Sequence, residues 1–266
     1  MANDPKQKTA DANGRLWGAR ARDWAEIQEA IVRPVYEAVV NRLSISASTA
    51  YLDVGCGAGM AAQMAAARGA RVFGLDASEN LLAIARSRVP NGEFRVGELE
   101  TLPYPEDSFD IVTAFNSLQY AANPATATKQ VKRVAKSGAQ VVIVTWGTPE
   151  GMEWVSISAA LRELLPPPPP DAPGMYALSE ERALRAFAES AGLKSDEVFD
   201  VDAPVHYPSH DIAMRGLLSS GNAARAIELA SEERVREAYS KALERFAKPD
   251  GGYRIGARFR CLFARA

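Results

Sequence analysis

Short apolar runs alternate with amphipathic stretches through the middle of the chain. The runs predict strands at Ala50–Val54, Arg71–Leu75, Glu93–Val96, Phe109–Ala114 and Ala139–Thr145. Between them, Met60–Arg68, Glu79–Arg88 and Pro124–Ala135 carry helical patterns. Such alternation implies right-handed crossovers and a parallel sheet with helices on both faces. Ligands of these sheets lie outside the carboxyl ends of the strands, so Gly55, Asp76, Glu98 and Asn116, each following a strand end, are expected to converge.

The flanks follow a different pattern. Met1 to Gly14 is polar and expected to be loose. Trp17, Trp24, Ile27, Ile31, Val35, Val39 and Val40 recur near a helical period between Leu16 and Leu43. Pro34 lacks an N–H and clashes with the preceding turn, so two helices should meet near Arg33-Pro34. Beyond Trp146, Glu150–Leu165 predicts a helix ended by the prolines Pro166 to Pro170, which read as a stiff connector. Ser179 reads as the N-cap of a helix that reaches Ala191 and ends at Gly192. Lys194–Asp202 and Arg258–Ala264 read as two further strands. Within Ala203–Gly256, Val235, Ala238, Tyr239, Ala242, Leu243 and Phe246 form a helical stripe.

The chemistry concentrates at Tyr51-Leu-Asp-Val-Gly-Cys-Gly-Ala-Gly-Met60. Strand, glycine turn and small-residue helix allow a backbone to approach a nucleotide closely. The spacing is Gly55-x-Gly57-x-Gly59, with Met60 where the dinucleotide fingerprint places its last glycine. Asp76 ends the second strand, where a carboxylate accepts hydrogen bonds from ribose hydroxyls. Together these features point to an adenosine-containing ligand.

Leu52-Asp-Val-Gly-Cys-Gly-Ala-Gly59 resembles motif I of the class I S-adenosylmethionine-dependent methyltransferases, of the ubiquinone-biosynthesis type. Val72–Ser78 resembles their ribose-binding second strand, and Phe94–Asp110 their adenine-binding turn. Val131–Gly138 with Val141–Val144 resembles the helix, turn and fifth strand. The matches run in family order over roughly residues 48 to 147. The resemblance implies an α/β fold, a Rossmann-like doubly wound seven-stranded sheet with a helical N-terminal lid and helical cap insertions. The implied division is a lid over 1–43, a cofactor-binding core over 44–147, a cap over 148–178, and 179–266 returning to the core with a helical insertion at 203–256. It also implies the cofactor S-adenosyl-L-methionine, held by Trp24, Asp53, Gly55, Cys56, Gly57, Asp76, Ala77, Glu98, Leu99 and Asn116. Gln119 and Tyr120 are implied substrate contacts. Glu98 stands where the family commonly has aspartate, with Glu100 a nearby substitute, and Lys136-Ser-Gly138 stands where it often has Lys-Pro-Gly-Gly. Gly138 is expected to take a left-handed helix cap. An aromatic face attracts a sulfonium, which suits Trp24 and Trp17, although ordinary packing suits Trp24 equally and Trp17 better.

Composition narrows the partners. The net charge of −2 gives little drive toward a phosphate backbone, so a small-molecule acceptor is expected and nucleic acid is not. No apolar run reaches the length of a membrane helix, and the polar start is neither a signal nor an anchor. Cys56 and Cys261 lack metal-ligand or redox spacing, which suits a reduced, cytoplasmic setting, and no metal site is expected. His206 and His210 are the candidate bases, His210 with Asp211 to orient it. The leading expectation is methylation of O or C on a hydrophobic metabolite. A cofactor-binding homologue that no longer methylates, such as a pericyclase, is the alternative. A nicotinamide oxidoreductase is disfavoured by Met60 and by the third- and fourth-strand matches.

Overall fold

The computed structural model describes residues 9–167 and 174–266. The expectations for residues 1–8 and for Pro168–Pro170 of the proline run fall outside the described residues. Seven strands form one sheet: β1 (Ala50–Val54), β2 (Arg71–Asp76), β3 (Glu93–Val96), β4 (Phe109–Phe115), β5 (Ala135–Trp146), β6 (Lys194–Asp202) and, late in the chain, β9 (Arg258–Arg265). Their order is β3-β2-β1-β4-β5-β9-β6. The first five are parallel, and β9 runs antiparallel between β5 and β6. Every residue of β1 is buried, as expected of a central parallel strand covered on both faces. The strand order reverses between β1 and β4, which opens the ligand crevice at their carboxyl ends.

The N-terminal segment is α1 (Ala10–Gly18), α2 (Ala21–Asp23), a π-helical turn (Trp24–Gln28), α3 (Glu29–Ile31) and α4 (Arg33–Val40). The helix therefore begins before Gly14, where a loose end was expected. The break lies at Val32, and Pro34 falls in the first turn of α4, where its missing N–H costs nothing. The helices packed on the sheet are α5 (Met60–Ala66), α6 (Glu79–Arg88), α7 (Pro124–Val134) and α9 (Glu181–Ser190). Between α7 and α9 lies the short α8 (Trp154–Ala159) with a 3₁₀ turn at Arg162–Leu164, not the single helix expected over Glu150–Leu165. The expected insertion folds as α10 (His210–Leu218), α11 (Gly221–Leu229) and α12 (Glu232–Leu243), plus an unforeseen antiparallel pair, β7 (Val205–Tyr207) with β8 (Tyr253–Ile255).

Two expected caps are corrected. Ser179 is buried, its carbonyl accepts a bond from Arg260, and Glu180 holds the N-cap position of α9. Helix α7 ends at Val134 with Ala135 already extended, and Gly138 takes its φ of +76° inside β5 while donating to the Ala266 carbonyl.

The N-terminal helices and the insertion are bound to each other by charge. Arg15 pairs with Glu228, Arg20 with Glu232 at 2.7 Å, and Arg215 with Asp23 at 2.7 Å. Close packing fixes α1 over the end of β2. A Cβ on Gly14 would stand 2.2 Å from the Ala77 carbonyl oxygen, and one on Gly18 would stand 2.5 Å from Ser78 Oγ.

Candidate active site

The glycine turn leaves β1 with Gly55, Gly57 and Gly59 at φ of +76°, +54° and +83°. Such angles disfavour side chains, which accounts for glycine at all three. Gly55 and Cys56 donate to the Leu75 carbonyl at 2.7 and 3.0 Å, closing the turn onto β2. Asp76 completes the clasp: Oδ2 accepts Gly57 N and Oδ1 accepts Ser78 N, both at 2.8 Å. Burial raises the Asp76 carboxyl above its usual range, opposed by backbone bonds from Ser78, Gly57 and Ala77. Each oxygen keeps further accepting capacity, and Asp76 lines the cavity.

Around this turn opens a cavity of about 230 Å³. Gly55, Cys56, Gly57, Asp76 and Ala77 line one side. Glu98, Leu99 and Asn116 continue it, and Trp24 and Tyr120 close it from above. The structure thus gathers most of the residues singled out in the sequence into one wall. Burial and the nearby Asp76 and Asp53 charges keep the Cys56 thiol protonated. Burial pushes the Tyr120 hydroxyl up to about 12.

Four of those residues lie elsewhere. Asp53 is buried beneath the turn and does not line the cavity; its Oδ1 accepts the Thr113 hydroxyl at 2.8 Å. Burial first, then Glu29 and Asp76, push its carboxyl up to about 7 against the Thr113 bond. Gln119 does not line the cavity and donates to Asn116 Oδ1, holding a residue whose φ is +51°. His206 is exposed on β7, and His210 is exposed at the start of α10 with its ring bonded to Ser240 Oγ at 3.0 Å. Neither histidine lines the cavity. A base must reach the proton it takes, so this geometry removes both from that role.

Glu98 carries a second duty: Oε1 accepts Ala10 N at 3.0 Å, at the first turn of α1. Glu100 accepts Asn123 N at 2.9 Å through Oε1, while its buried Oε2 has no partner among the described residues.

Several cavity residues escaped the sequence reading. Glu29 is 2% exposed, accepts Met60 N at 3.2 Å and pairs with Arg88. Burial raises its carboxyl and Arg88 opposes that rise. The π-helical turn just before it aims Gln28, also unforeseen, and the expected Trp24 at the same space, a common use of such turns. Trp17 packs edge-on against Trp24 at 4.9 Å and Tyr120 at 5.2 Å.

The far half is apolar: Phe115, Val144, Trp146, Trp154, Ile157 and Phe259 line it. Trp146 stacks on Phe259 at 4.5 Å and on Trp154 at 5.9 Å, forming a rigid aromatic wall. Among the described residues no group of histidine, cysteine or carboxylate side chains is placed to hold a metal, and no helix is long and apolar enough to cross a membrane.

The arrangement fits an adenosyl sulfonium. A Cβ on Gly57 would meet nothing nearer than Trp24 Nε1 at 3.6 Å, so that backbone faces open space. The acidic side chains Glu29, Asp76, Glu98 and Glu100 suit hydroxyl donors and a positive charge.

Known proteins agree. A methyltransferase domain family matches residues 52–143. Methyltransferase GfsG of Streptomyces halstedii is 31% identical over 219 residues, 74% of this chain and 72% of that protein. The ubiquinone biosynthesis O-methyltransferase of Hahella chejuensis is 31% identical over 52% of this chain; the match spans only 59% of that protein's length. The solved BH2331 protein of Bacillus halodurans shares the fold with a TM-score of 0.60 and 17% identity, over 86% of this chain and 97% of that one. On its ordered motifs, its sheet and its likeness to GfsG, the chain belongs to the class I S-adenosylmethionine-dependent methyltransferases, and S-adenosylmethionine is its cofactor.

Proposed function

We propose that this enzyme methylates an oxygen or carbon atom of an apolar, ring-bearing small molecule held in the aromatic half of the cavity. The observation that carries the reading is the division of one cavity into an acidic, glycine-lined half and an apolar half walled by Trp146, Trp154 and Phe259. The O-methyltransferase named for ubiquinone biosynthesis among the relatives supports oxygen as the acceptor atom. The net charge of −2 supports a small molecule over a polyanion.

When bound, the cofactor supplies an electrophilic methyl group on a positively charged sulfur. In this reading Asp76 holds the ribose and Glu98 with the Leu99 backbone holds the adenine. Gly55, Cys56, Gly57, Ala77, Asn116 and Trp24 shape the rest. The chain's task is alignment and exclusion of water, and alignment alone lowers such barriers by up to about 7–11 kcal/mol. Cys56, Tyr120 and the other cavity tyrosines stay protonated, and both histidines stand outside. The cavity carboxylates Glu29, Asp76, Glu98 and Glu100 are already engaged by backbone N–H groups, and Glu29 also by Arg88, so in this reading the acceptor ionises through its own acidity, as a phenol or enol does. In this reading the N-terminal helices α1 to α4, the described residues 148–167 and 174–178, and the insertion 203–256 form the roof that selects it.

The test is transfer of label from methyl-labelled cofactor to each member of a panel of phenols, enols and amines, with S-adenosylhomocysteine formed in equal amount. Transfer to a phenol or enol, fastest for the more acidic members, supports the reading. Transfer confined to amines overturns the acceptor class. Cofactor binding with no transfer to any member favours a homologue that does not methylate.

A further inference from the structure

Among the described residues, two of the buried side-chain nitrogen and oxygen atoms left without a hydrogen bond belong to residues that line the cavity: Glu100 Oε2 and Trp146 Nε1. Glu100 stands with the other acids of the glycine-lined half. Trp146 stands in the apolar half, where an unpaired donor is harder to explain. Buried indole N–H groups usually find an acceptor, and a stranded one bears the full cost of leaving water.

The packing of Trp146 accounts for its ring but not for its nitrogen. The residue is 8% exposed, ends β5 and pairs across the sheet with Phe259 of β9. Stacking on Phe259 and Trp154 uses the faces of the ring and fixes its tilt. The N–H lies in the ring plane, so neither contact consumes it. Ser158, one residue past Ile157 in the same lining, is already engaged. Its hydroxyl donates to the Val155 carbonyl at 3.0 Å and meets the Tyr176 hydroxyl at 2.9 Å, which leaves it no proton for a ligand.

We propose that Trp146 Nε1 donates a hydrogen bond to a carbonyl oxygen of the methyl acceptor. The acceptor is then a phenol or enol whose ring system also bears a ketone-type carbonyl. This rests on the acceptor reading above and narrows it. An indole N–H only donates, so it rewards an accepting atom and offers nothing to an ammonium. A hydroxyl in that place would leave its own proton unpaired among apolar side chains, whereas a carbonyl would not. No proton moves and no covalent bond forms at Trp146; the contact orients the ring against the aromatic wall.

The test is a matched pair of phenols titrated by calorimetry with S-adenosylhomocysteine present. Hydroxytetralone is a phenol fused to a cyclic ketone; tetrahydronaphthol has the same skeleton with a methylene in place of the carbonyl. The ketone is used as two ring isomers, which vary the reach of its oxygen. For the tighter isomer, the ketone-to-methylene affinity ratio should be about tenfold higher in the wild type than in Trp146→Phe, which removes the N–H and keeps a ring. Carbonyl desolvation and phenol acidity enter both proteins alike and cancel in the comparison. Benzothienylalanine placed at position 146 keeps the bicyclic ring with sulfur in place of the N–H. It should lower the ratio as far, and it covers a phenylalanine variant that fails to fold. A ratio that stays at the wild-type value overturns the contact and leaves the acceptor reading standing. The N–H would then belong to the Tyr176 ring, 6.4 Å away at 69°. Failure of the wild type to bind any of these phenols, while it binds S-adenosylhomocysteine, overturns the acceptor reading and the contact with it.

Discussion

Glu98 Oε1 accepts the backbone N–H of Ala10 at 3.0 Å, so a carboxylate at the end of β3 caps a helix in the N-terminal roof. Thr9, at the N-cap position, offers no side-chain bond, which leaves the first N–H groups of α1 in need of an acceptor. A negative charge also suits that end of a helix.

Glu98→Ala should release the start of α1. A lost cap costs about 1 kcal/mol, which multiplies the open population about fivefold. Trypsin should then cut at Arg15 and Arg20 several-fold faster, and cofactor affinity should fall in parallel. Mass spectrometry of the fragments checks the first and calorimetry the second. Unchanged cleavage would mean that the ion pairs Arg15–Glu228 and Arg20–Glu232 alone hold the roof.

The glycines at 55 and 57 should fail differently. A Cβ on Gly55 would lie 2.3 Å from Ser117 Cβ, a buried residue whose hydroxyl donates to the Val54 carbonyl at 2.6 Å. Gly55→Ala should therefore destabilise the fold by several kcal/mol, the range of strained core substitutions. Gly57→Ala finds room, so its stability loss should stay near the ~1–2 kcal/mol of a left-handed alanine. Its methyl group would instead occupy space facing Trp24 and weaken the cofactor at least tenfold. Thermal melts and calorimetry on both variants separate the two outcomes, and equal melting temperatures would contradict the packing argument.

The contrast between Asp76 and Glu29 explains what the sequence could reveal. Asp76 ends an apolar run and stands a fixed distance past the glycines, so periodicity and spacing place it at the sheet edge. The sheet and most of one cavity wall follow from such local rules. Glu29 lies in an amphipathic helical run and has no local sign of burial. It becomes a cavity residue only because a π-helical turn shifts the register and Arg88, far along the chain, meets it. The histidines erred in the opposite direction: residue type suggested chemistry, but β7 and α10 carry both to the surface. Asp53 lies between these cases. Its strand was legible, but alternation of side chains turns it toward Thr113 instead of the ligand.

That burial gives Asp53 a pH signature. Its carboxyl titrates near 7 in the fold and near 4 in an unfolded chain. Between those values the folded protein keeps a proton that the unfolded chain releases. Stability therefore falls as pH rises from about 4 to about 7 and levels off above. Asp53→Asn cannot ionise and keeps a polar partner for Thr113. It should be more stable than the parent at pH 8 by up to about 4 kcal/mol, with the gain shrinking toward pH 4. Glu29 and Asp76, also raised, tilt parent and variant alike. Urea melts across this range check the prediction, and a gain independent of pH would show that Asp53 ionises normally in the fold.

Arg88 should be the costliest surface-reaching cation to lose. Its guanidinium pairs with Glu29, donates to the Ala58 carbonyl at 2.9 Å and to the Ala25 carbonyl at 3.0 Å. One side chain thus ties α6 to the glycine turn and to the π-helical turn of the roof. Arg88→Met would leave the Glu29 carboxylate buried without its counter-charge, a change that costs about 3–5 kcal/mol. Glu29→Gln should cost less, because Arg88 is partly exposed and keeps both carbonyl acceptors. Combining the two removes the stranded charge, so the double variant should be more stable than Arg88→Met alone by at least about 1 kcal/mol. Denaturant melts of the three variants decide it. Additive losses would mean that the two groups contribute separately and that the roof is held by the carbonyl bonds instead of the ion pair.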